Sequence, residues 1–112
     1  LTHPERHPGC STTLDWTKIK EMTFEQPDHR FPALELGFEV VRTGGTSGAV
    51  VNAANEAANE SFRQGKITFG KIVELVQEVL RIHKQKGFIA QPTLEELLAA
   101  DHWARTLITQ LI

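Results

Sequence analysis

The run Thr46 to Lys66, TSGAVVNAANEAANESFRQGK, constrains the fold more than any other stretch of the chain. Its alanines and valines gather on one side of a helix, and Asn52, Asn55, Glu56, Asn59 and Glu60 fall on the other. Side chains this small let a second helix or an extended segment come close to the backbone. The rest of the chain is therefore expected to assemble around this helix. Thr46 or Ser47 is its expected N-cap, Gly65 its stop, and Val51, Ala54, Ala58 and Phe62 its core face. Asn52, Glu56 and Asn59 share another face, where a carboxylate held between amides could serve as a general base. No nucleophile, phosphate loop or metal partner accompanies them. The trio is read instead as a buried polar joint, satisfying backbone groups of a neighbouring non-helical segment.

Three more helices are expected. The first runs from about Pro32 to Arg42, with proline in its first turn and Gly44 and Gly45 as its stop. Leu34, Phe38 and Val41 line its expected core face, and Gly37, which costs about 1 kcal/mol relative to alanine, hints at a close crossing. Another helix spans about Phe69 to Lys84, with Phe69, Ile72, Val76, Val79 and Leu80 facing the core and Val73 and Leu75 widening the stripe. Thr68 is placed to cap it, Ile67 and Ile72 to form a staple, and Gly87 to end it. Its basic end, Arg81, His83, Lys84 and Lys86, complements the helix dipole and reads as solvated, with no catalytic role for His83. The last helix opens on Pro92, Thr93, Leu94, Glu95 and Glu96, a capping box, and continues through Leu97, Ala100, Ala104, Leu107 or Ile108, and Leu111. Asp101, His102 and Arg105 resemble an acid, imidazole and guanidinium set. On a helix, however, Asp101 and Arg105 make an ordinary surface ion pair.

Residues 1–30 lack this periodicity. Pro4, Pro8 and Gly9 oppose regular structure, and LDWTKIKEMTF from Leu14 to Phe24 fits a turn followed by a short strand, with Trp16 and Phe24 anchoring the arm on the domain. A polar turn over 26–30 closes the arm. His3, His7 and Cys10 have the chemistry of zinc ligands. Pro4 and Pro8 disfavour the helix that would align the histidines, and no second ligand pair follows, so no metal site is assigned. The fold class expected is mainly α: a four-helix, bundle-like domain over 31–112, preceded by an extended linker arm over 1–30 with at most one short strand.

Composition narrows the function. With 112 residues and 40% hydrophobic content there is material for one core. Twelve basic and fourteen acidic residues are interspersed, leaving no stripe to neutralise phosphates, so nucleic acid is not an expected partner. A single cysteine and the lack of a long apolar run point to a soluble, cytoplasmic protein with no membrane partner. The opening LTHPERHPG has no helix start or targeting pattern, as expected of a fragment or a processed precursor.

Three motifs then agree in order. TFEQPDHRFPALEL (Thr23 to Leu36), NAANE (Asn52 to Glu56) with GKITF (Gly65 to Phe69), and PTLEELLAADHWAR (Pro92 to Arg105) resemble the C-terminal part of the 1-deoxy-D-xylulose-5-phosphate reductoisomerase family. LTHPER resembles that family's exit from its central domain. The PDHRFP turn is one residue shorter than the family's usual form, and Asn59 stands where an apolar residue is common. The resemblance implies a parent enzyme, homodimeric in the family, that uses NADPH and Mg or Mn to make 2-C-methyl-D-erythritol 4-phosphate for isoprenoid precursors. It also implies that the catalytic, cofactor-binding and metal residues lie in the N-terminal and central domains, so that none is assigned here and this chain alone is inactive. A stand-alone helical module that binds a protein partner is the competing expectation.

Overall fold

A computed structural model describes residues 3–27 and 30–112. Four helices appear in order: α1 (Pro32–Thr43), α2 (Ser47–Arg63), α3 (Phe69–Lys86) and α4 (Leu94–Leu111). No strand occurs among the described residues, and the stretch expected to form one carries only a turn around Trp16 to Lys18. The mainly α expectation holds, and helix ends differ from those read in the sequence by a residue or two.

α2 is the hub. It packs along both α3 and α4, which meet each other less extensively, while α1 lies at the side against α2 and α3. Ala53, Ala54 and Ala58 have no exposed surface, so α3 and α4 approach close to the α2 backbone. Larger side chains fill the space around them: Val50, Val76, Val79, Leu80 and Ile108 are each at most 2% exposed. Burying a side chain of this size contributes about 1.5 to 3 kcal/mol. Val51, by contrast, is only half-buried, and Phe62 and Phe69 stand 39% and 72% exposed rather than in the core. Those two rings instead pack edge to face, 5.6 Å apart, at the α2–α3 turn.

Helix ends show where local signals are obeyed and where they are overruled. Thr93 and Glu96 make the expected reciprocal capping box at α4. Thr46 and Thr68 occupy N-cap positions, yet neither side chain caps its helix. At α2 the Ser47 hydroxyl does not take over, since it donates to the carbonyl of Gly44 rather than accepting a helix N–H. Gly44, Gly45 and Gly65 all have positive φ, the conformation that ends helices cheaply only at glycine.

α1 corrects the sequence reading. Leu34, Phe38 and Val41 do share a face, but it points outward, with exposures of 46%, 65% and 82%. Leu36, on the opposite side, is the buried residue, and Glu39 reaches Lys84 of α3 at 2.6 Å to pin the helix in place. Gly37 has no neighbour within 4 Å of a Cβ position, so no segment crosses there. The arm is likewise undocked: Trp16 and Phe24 are 73% and 84% exposed. Asp28 and His29 of the polar turn lie outside the described residues.

Candidate functional site

The core stripe of α3 runs on past Val79 and Leu80 to His83, which is only 2% exposed. Its Nε2 lies 2.7 Å from the hydroxyl of Thr46, the fully buried residue at the head of α2. That hydroxyl also accepts the Ile89 N–H at 3.1 Å, while the Thr46 N–H donates to the Ile89 carbonyl at 3.0 Å. The imidazole sits 5.4 Å from the ring of Trp103 on α4 and 6.3 Å from that of Phe88. One threonine and one histidine thus join α2, α3, α4 and the α3–α4 connection. Burial pushes the His83 pKa below its ordinary 6.5. Beside the ring lies an open groove of about 470 Å³, with Ile82, Lys86, Glu96, Trp103 and Leu107 among its lining. The basic end of α3 is therefore not solvated throughout, and the signal was present in the sequence: His83 falls four residues beyond Val79 on the core face.

A second polar cluster spans α2 and α4. Arg105 contacts Asp101 at 2.8 Å, as its spacing predicts, and also reaches Glu56 of α2 at 2.7 Å. Asn52 donates to Glu56 at 3.2 Å. Hydrogen bonds from Arg105 hold the Glu56 and Asp101 carboxyls below their ordinary range. A general base needs the opposite shift, toward neutrality. Asn52 and Glu56 are exposed, so the buried joint expected on this face is absent; their bonds run along the helix and to Arg105. Asn59 donates to Asn55, the additional hydrogen bond its polarity suggested. His102 is exposed, and Arg105 pairs with Asp101 and Glu56 rather than completing an acid, imidazole and guanidinium set.

The remaining feature is apolar. Phe31, Leu34, Phe38 and Val41 recur at spacings of three, four and three and are all exposed, 46% or more, along the outer face of α1. Leu14, Trp16, Met22 and Phe24 of the preceding arm are exposed as well. A helix with apolar residues front and back has a second surface available for burial.

Among the described residues no three His, Cys, Asp or Glu come together to hold an ion, and His3, His7 and Cys10 are all exposed. No described helix is long and apolar enough to cross a membrane. The fold and its polar clusters define a helical-bundle domain, with Glu39–Lys84, Glu56–Arg105 and Thr46–His83 linking its helices. Within that class, the chain belongs to the family described as the DXP reductoisomerase C-terminal domain, which matches residues 1–107. It is 43% identical to 1-deoxy-D-xylulose 5-phosphate reductoisomerase of Pelotomaculum thermopropionicum over its full length, and 47% identical to that of Rhodopirellula baltica over 99% of it. It spans only 28% and 24% of those two relatives. Among solved structures, the reductoisomerase of Zymomonas mobilis in complex with NADPH matches with a TM-score of 0.75 and 40% identity, covering 97% of this chain and 28% of that one.

Proposed function

We propose that residues 1–30 are the linker arm and residues 31–112 the C-terminal helical domain of a reductoisomerase. That parent enzyme would use NADPH and a divalent metal, Mg or Mn, to convert 1-deoxy-D-xylulose 5-phosphate to 2-C-methyl-D-erythritol 4-phosphate in isoprenoid precursor biosynthesis. The family match along residues 1–107 carries this reading. In it the catalytic, cofactor-binding and metal residues belong to the N-terminal and central domains, and none to this chain. The parent is a cytoplasmic homodimer. The domain's work is support: the bundle is a rigid body, and the outer face of α1 together with the arm supplies apolar surface for the other domains to cover. Each large side chain fully covered there would contribute about 1.5 to 3 kcal/mol to holding the domains in register.

A chimera tests this. The corresponding C-terminal segment of the P. thermopropionicum enzyme, 43% identical, is replaced by this chain. The expected results are substrate-dependent NADPH oxidation by the chimera, none by this chain alone, and weaker activity and domain association when Phe38→Glu is introduced. Turnover by the isolated chain would refute the supporting role. A folded chimera indifferent to Phe38→Glu would remove α1 from the domain interface and favour a separate protein-binding module.

A further inference from the structure

We propose that the groove between the end of α3 and the start of α4 binds a small aryl monocarboxylate, with its ring beside Trp103 and its carboxylate on His83 Nδ1 and Lys86.

The groove has the make-up of a small-molecule site. Its volume, about 470 Å³, falls in the range of about 300 to 1,000 Å³ usual for such sites. Ile82, Ile89, Ala100, Trp103 and Leu107 give it apolar walls, and Trp103 and Leu107 are only half-buried. An aryl ring laid there covers both and packs offset or edge-on against the indole.

A polar donor lies within these walls. His83 is 2% exposed. The Thr46 hydroxyl has two acceptors in reach: His83 Nε2 at 2.7 Å, and the Ile89 carbonyl at 3.5 Å, the outer limit of a hydrogen bond. It donates to the nearer one, which leaves Nδ1 carrying the hydrogen of the neutral ring. Burial favours that neutral form. Nδ1 has no hydrogen-bond partner among the described residues, yet no fully buried side-chain nitrogen or oxygen among them lacks one. Nδ1 is therefore the accessible atom of an otherwise buried ring that lines the groove. Gly87 keeps this edge open, since a Cβ there would stand 3.3 Å from Nδ1 and 3.7 Å from Cε1.

Charge selects the ligand. Lys86 lines the groove, is exposed, and makes no ion pair among the described residues, so its ammonium is available to an anion. Glu96 adds one negative charge from α4, and its carboxylate accepts the Thr93 N–H at 2.8 Å. A phosphate dianion would bring two charges to one ammonium and meet the glutamate as well. A cation would leave Nδ1–H without an acceptor. A single carboxylate accepts from Nδ1–H and pairs with Lys86, through charge-assisted bonds.

The test is an NMR titration of the full, isotope-labelled chain above pH 6.5 with indole-3-propionate, and with tryptamine, which carries a cation on the same ring. Indole-3-propionate should give saturable shifts centred on His83, Gly87 and Trp103, with a Kd of about 1 mM or tighter. Tryptamine should bind at least about tenfold more weakly. Gly87 has a negative φ, so Gly87→Ala is compatible with the backbone; by crowding Nδ1 it should weaken binding by about tenfold. Lys86→Gln should weaken it by about two- to fivefold. If Gly87→Ala does not fold, Lys86→Gln and tryptamine decide the matter. Shifts that do not saturate or centre on α1, equal affinity for tryptamine, or indifference to both variants would overturn the site. So would binding by this chain but not by the folded chimera with the P. thermopropionicum enzyme, which would make the groove a domain interface.

Discussion

Gly45→Ala isolates a close backbone crossing between the start of α2 and the α3–α4 connection. Gly45 has φ +54, and a Cβ on it would stand 2.2 Å from the Ile89 carbonyl oxygen and 3.0 Å from the Ala90 Cα. Both are backbone atoms, so no side-chain rotation relieves the overlap. Two costs follow. Holding an L-residue in left-handed backbone costs about 1 to 2 kcal/mol, and moving the connection aside breaks the two hydrogen bonds between Thr46 and Ile89, about 1 kcal/mol each. The sum, roughly 3 to 4 kcal/mol, is a large share of the 5 to 15 kcal/mol typical of a small domain. Gly65→Ala is the control, because Gly65 has φ +71 but nothing within 4 Å of a Cβ. It should lose only the conformational part, about 1 to 2 kcal/mol. Urea unfolding with unchanged m-values gives both numbers. If Gly45→Ala falls within about 0.5 kcal/mol of Gly65→Ala, the crossing does not constrain the fold and the tertiary part of the account is wrong.

Ile108→Ala removes a side chain 1% exposed between α2 and α4 and should cost about 2 to 5 kcal/mol by urea unfolding. Asn52→Ala should cost less than about 0.5 kcal/mol, because the residue is exposed and bonded only along its helix; a loss above about 1 kcal/mol would restore the buried joint. Arg105→Gln should flatten the loss of stability in acid. Glu56 and Asp101 have folded pKa values below their ordinary 4.5 and 3.8, so their contribution is present above those values and is lost as pH falls through the folded ones. Thermal melts of both proteins between about pH 6 and pH 2 would show it, and parallel curves would dismiss the ion cluster as a source of acid sensitivity.

Helix number, type and approximate ends were legible because α2, α3 and α4 each carry a periodic apolar stripe and recognisable termini. The Thr93 and Glu96 capping box was readable too, since both partners lie within one turn. Side chains whose partners are distant in the chain were not. Thr46 has an N-cap's identity and position, but His83 and Ile89, 37 and 43 residues away, compete for its hydroxyl and win. Asn52 and Glu56 looked like a joint for a missing partner, whereas Arg105, 49 residues on, takes the carboxylate and leaves the asparagine in water. Phe38 shows the same limit for apolar residues. A stripe announces that a face seeks burial, and it does not say which surface will provide it.

Amino-acid order alone settles that this chain is helical and built around the alanine-rich run, because periodicity, small-residue spacing and end signals act over a few residues of backbone. The three ordered motifs likewise suffice to place it in its family. Which way α1 turns its large side chains, and which hydroxyl is diverted from its helix cap, depends on what the helices meet in space. So does the burial of a histidine that looked solvated. Those outcomes arise from competition between contacts far apart in the chain, each worth only about 1 to 3 kcal/mol.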